Sequence, residues 1–384
     1  MAVEGRRRPA WAEVDLAAIT HNTAVLASVM GRTPLCAVVK ADGYGHGALA
    51  VAKPMLEAGA GLLGVALVDE GIELRESGIA APILVLAEAP GPALEDALAS
   101  GLTLTVGSVR GAYEVSTASA VLGGEHVVHV KIDTGMHRMG ALQKDLGEVL
   151  TVLAEGGVKV GGIWTHFSVA DGAGDEDKAF TREQLALFDD AVASVSTLLD
   201  HGCLQHAANT AGALSQPAAR RDFVRIGLGL YGYLPAPELA AVLHRSGVPA
   251  LRPVLSVKAR VSAIHDVAPG ARPSYGRLRE MPDGGRVATV PFGYADGYPR
   301  AMFEGGAVVL IRGRRRPLAG MVTMDQLVID CSPDDDVTVG DEVVLLGRQG
   351  TQVITADDWA AAIGTSSWEV LCGLKPRVPK LSVD

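Results

Sequence analysis

Short apolar runs punctuate the first two thirds of the chain at near-regular intervals. Leu35 to Val39, Leu63 to Leu67, Ile83 to Leu86, Leu102 to Val106, Val127 to Ile132, Gly161 to Phe167, Leu204 to Ala208 and Val224 to Leu230 make eight. Each is too short for a stable helix and reads as a buried strand. Between them lie alanine-rich stretches with helical periodicity, such as Gly47 to Ala60 and Thr181 to Leu199. Successive strands are spaced by one βα unit of roughly 30 residues. Eight such units predict an α/β fold, a parallel (β/α)8 barrel of the TIM type, with a doubly wound sheet as the structural rival.

Two departures frame this repeat. Residues 10 to 15, Ala-Trp-Ala-Glu-Val-Asp, alternate like a strand ahead of the helical pattern Leu16 to Met30, which stops at Gly31. Past about residue 240, Pro, Gly and β-branched residues rise and helical periodicity vanishes until near the end. Leu255 to Ile264, Arg286 to Pro291, Ala307 to Ile311, Leu327 to Asp330 and Asp341 to Leu346 read as strands separated by turns. Thr355 with Asp358 three residues on reads as a capping box opening a helix. The expected division is a barrel over 1–245 and a mainly β domain over 246–384, with the strand near 10–15 a candidate to pack on the second domain.

Composition narrows the function classes. A chain of 384 residues, 48% hydrophobic and 20% charged, has room for two cores. A net charge of −10 argues against nucleic acid or an anionic membrane as partner. Arg6-Arg7-Arg8 and Arg312-Gly313-Arg314-Arg315-Arg316 are the only basic runs and read as solvated surface. Four scattered cysteines, Cys36, Cys203, Cys331 and Cys372, contain no Cys-x-x-Cys. That disfavours a disulfide framework and a zinc site, fits a reducing cytoplasm, and leaves no metal to expect. Neither a signal-peptide core nor a bilayer-length apolar run is present.

The chemistry gathers at strand ends. Lys40 stands where the first barrel strand runs into Ala41-Asp42-Gly43-Tyr44-Gly45-His46-Gly47. Barrel enzymes keep their reactive groups at the carboxyl ends of strands. A lysine among apolar residues tends to lose its proton, and a neutral amine is what condensation with an aldehyde needs. A surface lysine in a flexible turn is the competing reading. The fifth strand carries Lys131 and runs into Asp133 to Arg138, the sixth carries His166 near its end, the seventh ends at Asn209-Thr210, and the eighth begins with Arg225. Taken singly, His166 also reads as a satisfied core histidine, Lys131 as a snorkelling edge residue and Arg225 as a surface cap. Polar groups from several strands converging on one face are what a barrel site requires.

Val39-Lys40-Ala41-Asp42-Gly43-Tyr44-Gly45-His46-Gly47 resembles the cofactor attachment site of the bacterial alanine racemases, which depend on pyridoxal 5'-phosphate. The resemblance runs from about Ala10 to Lys380. It implies a barrel followed by a β domain, interconversion of L- and D-alanine, and a supply of D-alanine for cell-wall peptidoglycan. By the same resemblance, Lys40 carries the cofactor and Tyr44, Asn209, Thr210 and the Gly227–Leu228 backbone belong to its binding site. Arg225 meets its pyridine nitrogen, supported by His166, and Arg138 meets its phenolic oxygen and the substrate carboxylate. Lys131 matches a position often carbamylated. Pro273-Ser274-Tyr275-Gly276 resembles the family's second catalytic base, and Met321-Val322-Thr323-Met324-Asp325-Gln326 its substrate-carboxylate loop, with Met324 and Asp325 the contacts. Phe292 to Tyr298 is close to a family signature that places Tyr294 at the pocket entrance.

Racemisation removes a proton from one face and returns one to the other, so two acid–base groups are needed. The resemblance gives Lys40 the D face and Tyr275 the L face. The resemblance also implies that the tyrosine comes from the other subunit of a homodimer. Three positions depart from the family pattern: Thr323 where many relatives have Cys, His137 where Gly or Asn is usual, and Pro376 where some place a pocket tyrosine. A broader amino-acid racemase, or another enzyme of the same cofactor such as a decarboxylase, is the alternative on this architecture. A non-catalytic cofactor-binding protein is a third, disfavoured by the residues after 245.

Overall fold

The computed structural model describes residues 8–332 and 336–384, so Arg6 and Arg7 of the first basic run lie outside the described residues. The chain divides into two compact units. One comprises Ala18–Gly43 and Ala48–Arg252. The other comprises the N-terminal strand, Tyr44–Gly47 and Pro253–Asp384.

The first unit is the barrel. Its strands are β2 (Leu35–Val38), β3 (Ala60–Val65), β4 (Ile83–Glu88), β5 (Thr103–Val106), β6 (His126–Lys131), β7 (Val158–Trp164), β8 (Leu204–His206) and β9 (Val224–Ile226); β1 (Ala10–Asp15) belongs to the other unit. They form one eight-stranded sheet in the order β8-β7-β6-β5-β4-β3-β2-β9, parallel at every pairing. The last seam, β8 against β9, has no full ladder. Two backbone hydrogen bonds close it, Asp222 N–H to Gln205 O and Arg225 N–H to Ala208 O, each 3.0 Å. Strands such as β2 are buried at every residue because helices cover the outer face and packed side chains fill the inner one. Helices alternate with them, including 16–30, 48–57, 68–76, 109–122, 143–155 and 175–194. The last of these begins Asp175-Glu176-Asp177, negative charge where the helix dipole is positive.

Several boundaries differ from the sequence expectation. The run read as Gly161 to Phe167 is a strand over Val158–Trp164, which leaves His166 in the loop beyond the strand. The run read as Val224 to Leu230 stops at Ile226, so Arg225 lies inside its strand rather than at the start. Gly227 then turns the chain into a 3₁₀ segment over Leu228–Tyr231. Hydrophobicity continues through both breaks because the turning residues are themselves buried.

The second unit is mainly β. β1 pairs antiparallel with β10 (Leu255–Arg260) and parallel with β18 (Lys380–Val383), in a sheet with β13 (Val308–Ile311), β14 (Arg314–Pro317), β16 (Glu342–Gln349) and β17 (Gln352–Ile354). A smaller sheet holds β11 (Ala263–Val267), β12 (Gly285–Val290) and β15 (Leu327–Asp330). The expected single strand Leu255 to Ile264 is therefore two strands in two sheets. Thr355 caps the helix 356–363 as expected: its Oγ1 accepts from Asp358 N–H at 3.0 Å, and Asp358 Oδ2 accepts from Thr355 N–H at 2.7 Å.

Two arginines read as solvated surface are instead held by specific partners. Arg316 is only 3% exposed and donates to Cys331 O at 2.8 Å. Arg8 forms a two-pronged pair with Asp296, at 2.6 and 2.5 Å. Asp296 is fully buried, and it also accepts from Arg377 Nε at 2.8 Å and from Gly293 N–H at 2.8 Å. It thus joins the two ends of the chain within this unit. Asp296→Ala should destabilise the protein by about 3 kcal/mol, since it strands two cations that are themselves partly solvated, and a urea melt would measure it.

Candidate active site

Lys40 stands one residue, Val39, past the end of β2 and enters an unusual turn. Ala41, Asp42 and Gly43 all adopt left-handed helical angles, with φ of 53°, 52° and 62°, and Tyr44 has φ 52°. For a residue with a Cβ each such conformation costs about 1–2 kcal/mol, so Ala41, Asp42 and Tyr44 must be held in place by their surroundings. Gly43 N–H donates to Val39 O at 2.8 Å, and Asp42 Oδ1 accepts from Ala48 N–H at 2.9 Å. Ala41 N–H donates to Glu70 Oε1 at 2.6 Å.

Arg225 is the centre of the barrel's polar network. It is 3% exposed and lies over the Trp164 ring, 4.6 Å from its centroid. Its Nη2 donates to Thr165 O (2.8 Å) and Ala207 O (2.9 Å) and lies 3.2 Å from His166 Nδ1. Its Nη1 lies 2.8 Å from His206 Nδ1, and His206 Nε2 lies 2.9 Å from His129 Nδ1. Arginine has only donors, so both facing Nδ1 atoms accept. The protons of His206 and His166 are thereby assigned to Nε2, and His206 passes its own on to His129. Burial first, then the charge of Arg225, depresses all three imidazoles, His129 to about 4 and His166 and His206 well below their usual value. Burial brings the guanidinium down to about 10, still protonated at neutral pH.

Lys131, the last residue of β6, is also buried, 5.0 Å from the Trp164 centroid. Burial, then Arg138 and Arg225, lowers its amine to about 8, with Asp133 opposing. Arg138 itself is exposed. Between them, Asp133 organises a turn by accepting from Gly135 N–H and His137 N–H, each at 3.0 Å. His137 has φ 53°, which gives a conformational reason for the glycine or asparagine usual there: both take this region more easily.

The third cluster lies across the β8–β9 seam. Asn209 caps the helix 210–215, its Oδ1 accepting from Gly212 N–H at 2.9 Å. Thr210 Oγ1 accepts from Gly227 N–H at 3.1 Å, which leaves the hydroxyl hydrogen to donate outward. Leu228 opens the 3₁₀ segment, where the first N–H groups have no partner within the turn.

Lys40, Lys131, His166, Asn209, Thr210, Arg225, Gly227 and Leu228 thus stand at or just past the carboxyl ends of barrel strands. Among the described residues no carboxylate pairs with Arg225 or Lys131. Two buried cations with no carboxylate at ion-pair distance, and only Asp133 acting on Lys131 from further off, define a place for an anion.

The remaining expected residues belong to the second unit. Tyr275 is 73% exposed, in a turn where Ser274 has φ 67° and its hydroxyl donates to Met321 O at 2.6 Å. Gly320 lets the chain pass there, since a Cβ would lie 2.3 Å from Pro273 O. Tyr294 N–H donates to Thr323 O (3.1 Å) and Ala295 N–H to Met324 O (3.0 Å). Gly293 permits this approach, its hypothetical Cβ lying 2.4 Å from Met324 O. Asp325 accepts from Arg377 at 2.6 Å, and Arg377 reaches Asp296, so the exposed Met324 loop is anchored on a buried carboxylate. Tyr44 is buried in the same unit, where burial and then Cys372 push its phenol well above the usual range and keep it neutral.

Two domain models match in succession: the alanine racemase N-terminal domain over residues 14–235 and the C-terminal domain over 254–382. This chain belongs to the alanine racemase family. An alanine racemase of Nostoc sp. is 42% identical over 379 residues, covering 97% of this chain and 96% of its own. The crystal structure of alanine racemase from D-cycloserine-producing Streptomyces lavendulae is 35% identical, with a TM-score of 0.91 over 99% of this chain and 98% of that one. That of Bacillus anthracis with bound L-Ala-P is 34% identical, with a TM-score of 0.90 over 99% and 96%. The chain is accordingly an amino-acid racemase, an isomerase. No helix among the described residues is long and apolar enough to cross a membrane.

His206, His129, Trp164 and Glu70 were not singled out from sequence. His129 and Lys131 are two apart in one strand and so share a face, which was a usable signal. Because the folded state lowers the Lys131 pKa, it binds fewer protons than the unfolded chain between about pH 8 and 10.5, and stability contributed by this site rises with pH across that window. In carbonate-free buffer, Lys131→Met should be more stable than wild type by about 2 kcal/mol at pH 7, with the advantage shrinking toward pH 10 in urea melts.

Proposed function

We propose that the chain interconverts L- and D-alanine with pyridoxal 5'-phosphate, by two bases on opposite faces of the substrate, and supplies D-alanine for peptidoglycan in the cytoplasm. The observation that carries this reading is Arg225: a buried guanidinium without a carboxylate partner, sharing the Trp164 ring with buried Lys131 and lying on the strand that pairs with β2, the strand leading to Lys40. These residues fit an anionic, phosphate-bearing ring cofactor. Lys40 would hold it covalently, Arg225 would donate to its ring nitrogen, and Thr210, Gly227, Leu228, Asn209 and Tyr44 would receive the phosphate. When bound, the cofactor supplies an electron sink for charge on the substrate α-carbon.

The chain's own groups set the outcome. Arg225 remains charged and donates without transferring its proton, so the sink is weak and a carbanion is reprotonated quickly at carbon, which suits racemisation over transamination. His166, neutral and with its proton on Nε2, adds no charge beside it. Lys40 exchanges the proton on the D face and Tyr275 the one on the L face. Arg138 with the Met324 backbone binds the substrate carboxylate, with Asp325 and Tyr294 shaping the entrance. Tyr275, Met324 and Tyr294 are exposed at 73%, 53% and 39% on this unit, which supports a homodimer in which each copy lends its tyrosine to the other.

L-alanine and the cofactor in deuterated water should yield D-alanine carrying α-deuterium. Tyr275→Phe should lower racemisation at least about 10²-fold yet leave Lys40 able to wash deuterium into D-alanine, and loss of both exchanges together would refute the two-face assignment. Lys40→Ala should abolish both. The same assay with L-serine and L-lysine sets substrate breadth.

Lys131 takes carbon dioxide as a carbamate: its ammonium gives up one proton to solvent, the neutral nitrogen adds to the carbon of carbon dioxide and loses a second, and an anion so replaces a cation beside Arg138. Bicarbonate should raise the melting temperature of the wild type and leave that of Lys131→Met unchanged.

A further inference from the structure

The left-handed turn after Lys40 has one side-chain acceptor at its first peptide. Glu70 lies in the first turn of the helix Val68–Glu76. Its Oε1 accepts from Ala41 N–H at 2.6 Å, and its Oε2 accepts from Ala66 N–H at 2.8 Å and Leu67 N–H at 3.1 Å. Ala66 and Leu67 immediately follow β3, the strand paired in parallel with β2. One carboxylate therefore ties the exits of two neighbouring strands together, and one of those exits is Lys40.

The geometry has a direct effect on the lysine. Ala41 N–H belongs to the peptide that leaves Lys40, so the bond to Glu70 restrains ψ of Lys40 and holds in place the backbone from which its side chain departs. Ala41 and Asp42 hold positive φ against the preference of any residue with a Cβ. Without an acceptor at Ala41, right-handed angles are open to this turn. Asp42 and Gly43 are secured separately, so the first step of the turn depends on Glu70.

We propose that Glu70 is a positioning residue for Lys40, acting through the Ala41 peptide to aim the amine at the strand ends. This rests on the reading of Lys40 as the cofactor lysine, and it adds a residue outside the cofactor and substrate contacts. Glutamine cannot replace the carboxylate, since its single carbonyl oxygen serves one side and its NH2 faces the N–H groups on the other.

The test compares wild type, E70Q, E70A and the double variant E70Q/A41G, each loaded with pyridoxal 5'-phosphate. Borohydride reduction fixes the cofactor on its lysine, and peptide mass spectrometry reads the position and extent of labelling. Equilibrium dialysis gives cofactor affinity, and urea melts give the folded fraction. With wild type labelled on Lys40, E70Q should label Lys40 and retain cofactor about tenfold less well, with kcat reduced and KM for alanine little changed. The added glycine should recover part of both losses, because glycine takes positive φ without a Cβ clash. Labelling and affinity within twofold of wild type in folded E70Q overturn the proposal, as does an A41G change that rescues nothing. If E70A does not fold, E70Q alone decides. Labelling of the wild type on another lysine would overturn the reading of Lys40 itself, and is seen before any variant is compared.

Discussion

The buried guanidinium of Arg225 sets terms for everything around it. A cation 3% exposed in a barrel has to be fed acceptors, and this one takes two carbonyls and two imidazoles. Those bonds dictate the proton positions of His206 and His166, and through His206 that of His129. With their Nδ1 atoms committed as acceptors, the imidazoles stay neutral, and the charge left beside Arg225 is the cationic Lys131, which Asp133 offsets only in part. The barrel floor beneath is apolar and aromatic, with Phe223 stacked on His206 at 4.1 Å between centroids. Positive potential is thus confined to the strand ends, where a ligand can use it, and raised by the low polarity around it.

The parallel barrel was readable because strands buried on both faces leave unbroken apolar runs, and all eight runs correspond to strands. Their ends were less readable. Thr165 and His166 continue an apolar segment after the ladder stops, and nothing in Val224 to Leu230 marks the turn except Gly227. In the second unit, β14 reads Arg-Arg-Arg-Pro and β17 Gln-Val-Ile. A strand whose pairing rather than whose core contact holds it leaves little trace in hydrophobicity, so both went unread. Arg316 was hidden likewise: it ends a basic run whose other strand members, Arg314 and Arg315, are exposed, and it alone in β14 turns inward.

At the site, residue types with distinctive chemistry at strand ends were legible, and what holds them was not. Lys40 announces itself beside its glycines. The left-handed path through Ala41 and Asp42 does not, because neither is the residue such a path would call for. Glu70 looks like an ordinary acidic residue in a first helical turn, and its role depends on two strands being neighbours, a fact of topology. Arg377 and Asp296 are likewise joined only after the sheet brings the chain's ends together.

The β8–β9 seam adds a consequence of its own. Its strands are three residues each, its backbone closure is two hydrogen bonds, and the Thr210–Gly227 contact crosses the same line. A cylinder of this kind is weakest along one stave joint, and here that joint borders its most charged interior group. Anything gripped at once by Thr210 on one side and the Gly227–Leu228 turn on the other works as a hoop as well as a reagent. Its affinity then adds to the cohesion of the empty barrel, so loading and rigidity rise together.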